Sequence, residues 1–192
     1  MIFPGLGTKG EEAAPPPQYG HHYTGGLMSL ALSKESRAVL TAADVEAAKL
    51  RHVCVAPEHV LLALAQSDDR NVQRILFECH ADPARLIRSV LRLVERGPLA
   101  AAHIVHRPWT PGVVSAIQRA TSEAARFGLD RVPPAMLLLG VVGLRNSTAA
   151  QAFWIAGDGV GEREVLEALR DLYVPSAREK SRKRRRLAAV GA

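Results

Sequence analysis

Residues 33–64 read SKESRAVLTAADVEAAKLRHVCVAPEHVLLAL, and residues 110–141 read TPGVVSAIQRATSEAARFGLDRVPPAMLLLGV. A shift of 77 residues aligns the two segments without a gap, with 8 identities in 32 positions. Pro57 and Pro134 are among the identical pairs, so the match includes a helix start as well as a helix face. An internal repeat of this kind predicts two copies of one helical unit.

Helix starts are marked by capping residues and by prolines that suit the first helical turn. In the first unit these are Ser33, Pro57, the pair Asp68-Asp69, and Asp82 followed by Pro83. In the second unit they are Thr110 followed by Pro111, and Pro134, with further helices expected near 147–156 and 162–173. The first helix is predicted over about 34–50, and Gly128 is expected to end the fifth in a left-handed conformation. The fold class is therefore all-α, with eight helices in two pseudo-symmetric four-helix repeats.

The composition along the chain predicts five segments. Residues 1–31 form a flexible leader rich in Gly and Pro, 32–95 the first repeat, and 96–108 a connector. Residues 109–174 form the second repeat and 175–192 a basic tail. Both termini are expected to be disordered, because they offer too little apolar surface to offset the entropy of ordering them.

With 192 residues and 47% hydrophobic content, the chain can bury a core. No apolar run approaches the length of a membrane span, and the first residues lack the pattern of a secretory signal. A cytoplasmic globular protein is therefore expected. Cys54 and Cys79 fall at unrelated positions of the first unit, which suits reduced, buried thiols better than a disulfide framework.

The net charge of +6 is located in one place. Residues 178–186 hold seven basic side chains and one acidic one, so the rest of the chain is neutral. A basic folded face for a phosphate backbone is therefore not predicted. The tail has two interpretations: a solvated end, or nonspecific attachment to nucleic acid, an acidic protein or anionic lipid. Its candidate residues are Lys180, Arg182, Lys183, Arg184, Arg185 and Arg186.

Over about residues 32–173 the repeat resembles the N-terminal domain of Clp ATPases such as ClpA and ClpC, also called the Clp R domain. Each family unit opens with an aromatic residue and a threonine, runs through a helix ending near Glu-Ala-Arg, and starts its second helix with Gly-Thr-Glu-His-Leu-Leu-Leu-Gly-Leu. The corresponding segments here are Leu32-Ser33, EAAKL at 46–50 and APEHVLLAL at 56–64, then Trp109-Thr110-Pro111, EAARFG at 123–128 and PPAMLLLG at 133–140.

The resemblance implies a non-enzymatic module that docks adaptors, substrate segments or Clp subunits for an ATP-driven unfolding ring. The 192 residues contain no Gly-x-x-x-x-Gly-Lys-Ser/Thr loop, so neither nucleotide hydrolysis nor any cofactor is predicted. A stand-alone docking module is expected. The alternative class is a helical protein that associates with nucleic acid or another acidic surface through its basic tail.

Glu58 is the candidate recognition residue, since a carboxylate near a helix N-terminus is stabilised there and can face a cation. The resemblance implies that Ser33 and Glu58 match positions that accept a phosphorylated arginine in some ClpC-like relatives. His59 lies next to Glu58, and Thr110 is the equivalent of Ser33 in the second unit. The alternative is that Glu58 only supports its helix terminus while His59 packs in the core.

The second unit has Ala135 in place of the glutamate and Met136 in place of the histidine, so no equivalent charged pocket is expected. Binding there would be apolar. Trp109, Met136, Phe153 and Trp154 are candidates for such a surface, with membership of the core as the alternative.

The cluster His52, Cys54, Glu58 and His59 also suggests a metal site or a Cys/His nucleophile. Cys54 alternates with apolar Val53 and is expected to point inward, and no second ligand cluster occurs elsewhere. No metal site and no catalytic residue are therefore predicted.

Overall fold

The computed structural model describes residues 32–99, 104 and 106–174. This part of the chain forms eight α-helices: α1 (Lys34–Lys49), α2 (Pro57–Ala65), α3 (Arg70–Glu78), α4 (Pro83–Leu93), α5 (Pro111–Arg126), α6 (Pro134–Val142), α7 (Thr148–Ala156) and α8 (Glu162–Tyr173). The all-α prediction and the number of helices are confirmed. The predicted leader, the basic tail and part of the connector lie outside the described residues.

The helices begin where the capping residues predict. The Ser33 hydroxyl accepts a hydrogen bond from the backbone N–H of Ser36 at 3.1 Å, and the Asp82 carboxylate accepts one from that of Arg85 at 2.8 Å. Asp69 is the cap of α3 and accepts from two backbone N–H groups. Each cap satisfies donors that the first helical turn leaves without a partner inside the helix.

The turns after α1 and α5 are equivalent. Gly128 has a φ of 68°, which confirms the predicted left-handed helix end, and Arg51 at the equivalent position has a φ of 60°. Glycine adopts this conformation without a steric penalty, whereas arginine does so at some cost. The same backbone geometry is therefore kept in both halves with different side chains.

Two short parallel β-bridges join the halves. Leu32, before α1, pairs with Val132, before α6, and Val55, before α2, pairs with Trp109, before α5. The 77-residue shift converts one bridge into the other, so the exchange is reciprocal. Each repeat thus contributes one residue to each of the two bridges.

The core is built around α2 and α6. All of α6 is buried, and so is all of α2 except Glu58. Helix α1 packs on α2, α5 packs on α6, and α4 of the first half packs on α7 of the second. Arg85 and Asp158 add a two-point ion pair between these halves. The two repeats therefore share one hydrophobic core.

Among the described residues, no helix combines the length and the hydrophobicity that crossing a bilayer requires. The cytoplasmic location stays a prediction.

Candidate functional site

The starts of α2 and α6 lie at two equivalent junctions between the halves. At the first junction, the backbone N–H of Thr110 donates to the carbonyl of Val55 at 2.9 Å. At the second junction, the N–H of Ser33 donates to the carbonyl of Val132 at 3.0 Å. The structure therefore places Thr110 beside the segment that leads to Glu58. Ser33 lies instead beside the segment that leads to Ala135.

Close packing brings α5 against the start of α2 at the first junction. A Cβ atom added to Gly112 would lie 3.0 Å from Cγ of Pro57 and 3.6 Å from Oγ1 of Thr110. Glycine at this position lets the two helix starts approach each other. The start of α5 therefore lies against Pro57, one residue before Glu58.

Glu58 is the second residue of α2 and is half-buried. Its carboxylate makes no hydrogen bond or ion pair with any residue that the structure describes. A negative charge is stabilised at this position by the exposed N–H groups of the helix start. Burial, and secondly the charge of Glu58, raise the pKa of the nearby Cys54 thiol. The carboxylate is thus available for a cation from outside the described chain.

His59 is fully buried and belongs to a directional chain of hydrogen bonds. The backbone N–H of Ala56 donates to Nδ1 of His59 at 2.8 Å, so the ring proton of neutral His59 must sit on Nε2. That Nε2 lies 2.7 Å from Nδ1 of His52, and Nε2 of His52 lies 2.7 Å from the carbonyl oxygen of Glu95. Because a carbonyl only accepts, Nε2 of each ring is the donor along one path from Ala56 to Glu95.

Burial, and then the charge of His52, lower the pKa of His59 to about 4. The imidazole is therefore neutral at physiological pH. His59 is hydrogen-bonded to the residue that precedes α2, and so ties down the helix start that carries Glu58.

His52 contacts residues near both ends of the segment that joins α4 to α5. Its ring meets Glu95 at one end, and its backbone carbonyl accepts from Nε of Arg107 at 2.8 Å at the other. The Arg107 side chain is almost completely buried and lies 3.7 Å from Asp44. Gly97 approaches so closely that an added Cβ would lie 1.9 Å from the carbonyl oxygen of Arg51. Sequence reasoning missed this role of the connector, because the contacts join distant residues.

Three possible metal ligands do converge, contrary to the expectation from sequence. Ligand atoms of His52, Glu58 and His59 lie within 4.8 Å of one another, and Cys54 is not part of the group. The donor set does not fit a metal as it stands, however. Coordination through Nε2 of His59 would require its proton to move to Nδ1, where the Ala56 N–H already points. The arrangement is suited to a hydrogen-bonded pair.

The thiols are not activated for catalysis. Cys79 is buried as predicted, whereas Cys54 is only half-buried. Burial raises the pKa of Cys79 to about 11 and also raises that of Cys54. A thiol with a raised pKa holds little of the thiolate that acts as a nucleophile.

The second junction differs in chemistry. Ala135 and Met136, at the positions of Glu58 and His59, are both fully buried, so these two positions offer no charge. Trp109 and Phe153, like Met136, belong to the core, so the core alternative is confirmed for these three residues.

Trp154 alone of those aromatic candidates is exposed, at 58%. Phe77 is 82% exposed and was not singled out from the sequence, where its place on the outer face of α3 has no distinguishing signal.

The chain was compared with known proteins and structures. Residues 31–154 match the model of the Clp repeat (R) N-terminal domain. The ATP-binding subunit ClpC of the ATP-dependent Clp protease from Staphylococcus aureus is 25% identical over 122 residues, which make up 64% of this chain and 14% of ClpC. The chain thus spans about a seventh of that relative.

Solved structures share the fold. The N-terminal domain of the chaperone ClpD from Arabidopsis thaliana matches with a TM-score of 0.54 and 12% identity, over 72% of this chain and 91% of that domain. A chain solved in work on the ATPase ClpV, the TssB-TssC sheath and the accessory HsiE protein of type VI secretion matches with a TM-score of 0.62 and 20% identity, over 84% and 99% of the two chains. With the family match over more than half of its residues, the chain belongs to the Clp repeat (R) N-terminal domain family.

Proposed function

We propose that this protein is a non-enzymatic docking module that binds adaptors, substrate segments or Clp subunits in ATP-dependent proteolysis or unfolding. The family match supports a protein-interaction role in the Clp system. The comparisons lend no support to the alternative of nucleic-acid binding through the basic tail.

The half-buried carboxylate of Glu58 carries the proposal for the site. It has no partner within the described chain, and it sits at a helix start whose preceding segment is paired with Thr110 through the backbone. A guanidinium group would satisfy the carboxylate with charge-assisted hydrogen bonds, which are about twice as strong as neutral ones. An arginine side chain of a docked polypeptide is the matching ligand.

A phosphorylated arginine would use both residues. Glu58 would accept from the guanidinium, and the Thr110 hydroxyl could donate to a phosphate oxygen. That hydroxyl accepts only a long hydrogen bond, 3.5 Å, from the N–H of Val113, so its own proton is available. Ser33 has no such place in this site because it lies at the other junction, beside Ala135. One binding site per chain is therefore expected, although the fold is duplicated.

Titration of the full chain with an arginine-bearing and a phosphoarginine-bearing peptide tests the site. The variant Glu58→Gln keeps the shape and removes the charge, and is expected to weaken binding about 10-fold to 100-fold, since a hydrogen bond to a charged group contributes about 1.5–3 kcal/mol. The charge reversal Glu58→Lys should abolish binding. Glu167→Gln, an exposed carboxylate on α8, is the matched control. Unchanged affinity in Glu58→Gln would remove Glu58 from the site.

The role of Thr110 is tested by comparing the affinities for the phosphorylated and the unphosphorylated peptide. Thr110→Val removes the hydroxyl, so it should lower affinity for the phosphorylated peptide more than for the plain one. Because the hydroxyl also caps α5, urea unfolding of the same variant measures how much stability is lost. Equal losses for both peptides would contradict a phosphate contact. A pull-down with the full chain, scored for Clp ring and protease subunits, tests the wider role independently of the peptide chemistry.

A further inference from the structure

An open cavity of about 750 Å³ lies between α1, the end of α2 and the turn that precedes α3. We name this surface the α1 groove. Its floor is made by small apolar side chains, namely Ala38, Val39, Ala42, Ala63 and Pro134. Neither Glu58 nor Thr110 lines it, so it is distinct from the site proposed above.

The rim of the α1 groove is acidic. It carries Glu35, Glu46, Asp68 and Asp69, against Arg70 as its basic lining residue. Glu46 is paired with Lys49 at 2.6 Å, and one oxygen of Asp69 caps α3. Glu35 and Asp68 are exposed and have no ion pair with any described residue. These two carboxylates are the charges that the groove can offer to a ligand.

A side chain at the end of α8 reaches this groove. Asn71 lines the groove, and its side-chain amide donates to the hydroxyl of Tyr173 at 3.4 Å. Tyr173 is the last residue of α8, so the end of α8 lies within the reach of one side chain from the rim. At about 3.3 Å per extended residue, the 14 residues from Tyr173 to Leu187 reach up to ~46 Å. This length exceeds the ~17 Å that α1 covers between Glu35 and Glu46 at 1.5 Å per residue.

The sequence beyond α8 has a basic segment followed by an apolar segment, which matches the acidic rim and the apolar floor of the groove. Residues 178–186 carry seven basic side chains and one acidic one, and residues 187–190, LAAV, are apolar and mostly small. We propose that residues 178–190 dock in the α1 groove of the same chain, with the basic run on the acidic rim and the LAAV segment on the apolar floor. Residues 1–31 are a poor alternative, because their charges are Lys9, Glu11 and Glu12.

Docking in this way makes the tail an internal ligand. A partner that binds the α1 groove must then displace residues 178–190, and a partner that binds the tail must draw it out of the groove. Because the attraction acts between exposed charges, it weakens as added salt screens them.

Limited trypsin digestion of the full chain tests the docking. Trypsin cleaves after the basic residues of the tail, and mass spectrometry gives the rate of their release. The double variant Glu35→Gln/Asp68→Asn is expected to release the tail about threefold faster than the wild type in ~50 mM salt, and equally fast in ~1 M salt, where the Debye length is about 3 Å. Glu167→Gln/Asp130→Asn removes two exposed carboxylates outside the groove and is expected to match the wild type. Equal rates in all three proteins at low salt would overturn the proposal.

Zero-length carbodiimide cross-linking then shows which carboxylates the basic tail contacts. An amide bond is expected between Lys180 or Lys183 and Glu35 or Asp68, identified by mass spectrometry of the digested chain. An equal mixture of ¹⁴N-labelled and ¹⁵N-labelled protein separates the two sources of the tail. Cross-links of a single isotope support docking within one chain, whereas mixed-isotope cross-links assign the groove to the tail of a second copy and overturn the proposal. Cross-links only to carboxylates outside the groove overturn it as well.

Discussion

Protonation of His59 is expected to destabilise the fold between pH 6.5 and 4. In the unfolded chain a histidine takes up a proton with a pKa of about 6.5. In the folded chain, burial and the charge of His52 hold the pKa of His59 at about 4. The unfolded state therefore binds more protons in this window, so stability is complete above pH 6.5 and falls as the pH decreases.

The magnitude follows from the two pKa values. A gap between 6.5 and about 4 corresponds to about 3 kcal/mol of unfolding free energy once the pH is below both values. At pH 5 the unfolded chain is mostly protonated at this position and the folded chain mostly is not, which gives ~2 kcal/mol.

Urea unfolding of the full chain at pH 7.5 and at pH 5 measures the effect. The variant His59→Asn cannot titrate in this range, while its side-chain oxygen can still accept from the Ala56 N–H. We expect it to be less stable than the wild type at pH 7.5, but to lose ~2 kcal/mol less on going to pH 5. His106→Asn changes an exposed histidine and is the matched control, expected to follow the wild type. If His59→Asn lost as much stability as the wild type over the same interval, the assignment of a buried neutral His59 would be refuted.

Two further predictions concern packing and are checked by urea unfolding at pH 7.5. Gly140→Ala should lower the free energy of unfolding by about 1–3 kcal/mol, because its Cβ would lie 2.2 Å from the carbonyl oxygen of Ala116. The reverse change Ala63→Gly at the equivalent position should lower it by about 1–2 kcal/mol, through the lower helix propensity of glycine and the loss of a buried methyl group. Phe153→Ala should lower the free energy of unfolding by about 3–5 kcal/mol, because Phe153 is fully buried. The neighbouring Trp154→Ala should lower it by less than ~1 kcal/mol, because Trp154 is 58% exposed. Similar losses in the two variants would contradict the burial of Phe153 and the exposure of Trp154.

The helices could be predicted from the sequence because their signals are local. An N-cap such as Ser33 or Asp82 followed by apolar residues at helical spacing fixes a start within one or two residues. The left-handed turn at Gly128 is equally local. Repetition of these signals after 77 residues was enough to indicate two four-helix units.

The composition of the site could not be predicted in the same way. The sequence places Ser33 and Glu58 in one unit, but the exchanged bridges bring Thr110 of the other unit to the segment before Glu58. The spacing of residues within one repeat does not indicate whether a spatial neighbour comes from the same repeat or from the other repeat. Likewise, the path from His59 through His52 to Glu95 depends on how the connector folds back, and no periodic signal reports that contact.

The reciprocal bridges also bear on how such a fold can change over time. Two separate copies of a single unit, each offering Val55 to the other, could in principle form the same architecture as a symmetric dimer, but every substitution would then appear twice. A tandem chain removes that constraint, so one site can keep its acidic group while its twin becomes ordinary core. Glu58 and Ala135 occupy equivalent places in this chain and differ in just this respect. In a tandem duplication, one repeat can therefore change the residues that face a ligand while both repeats keep the residues that maintain the fold.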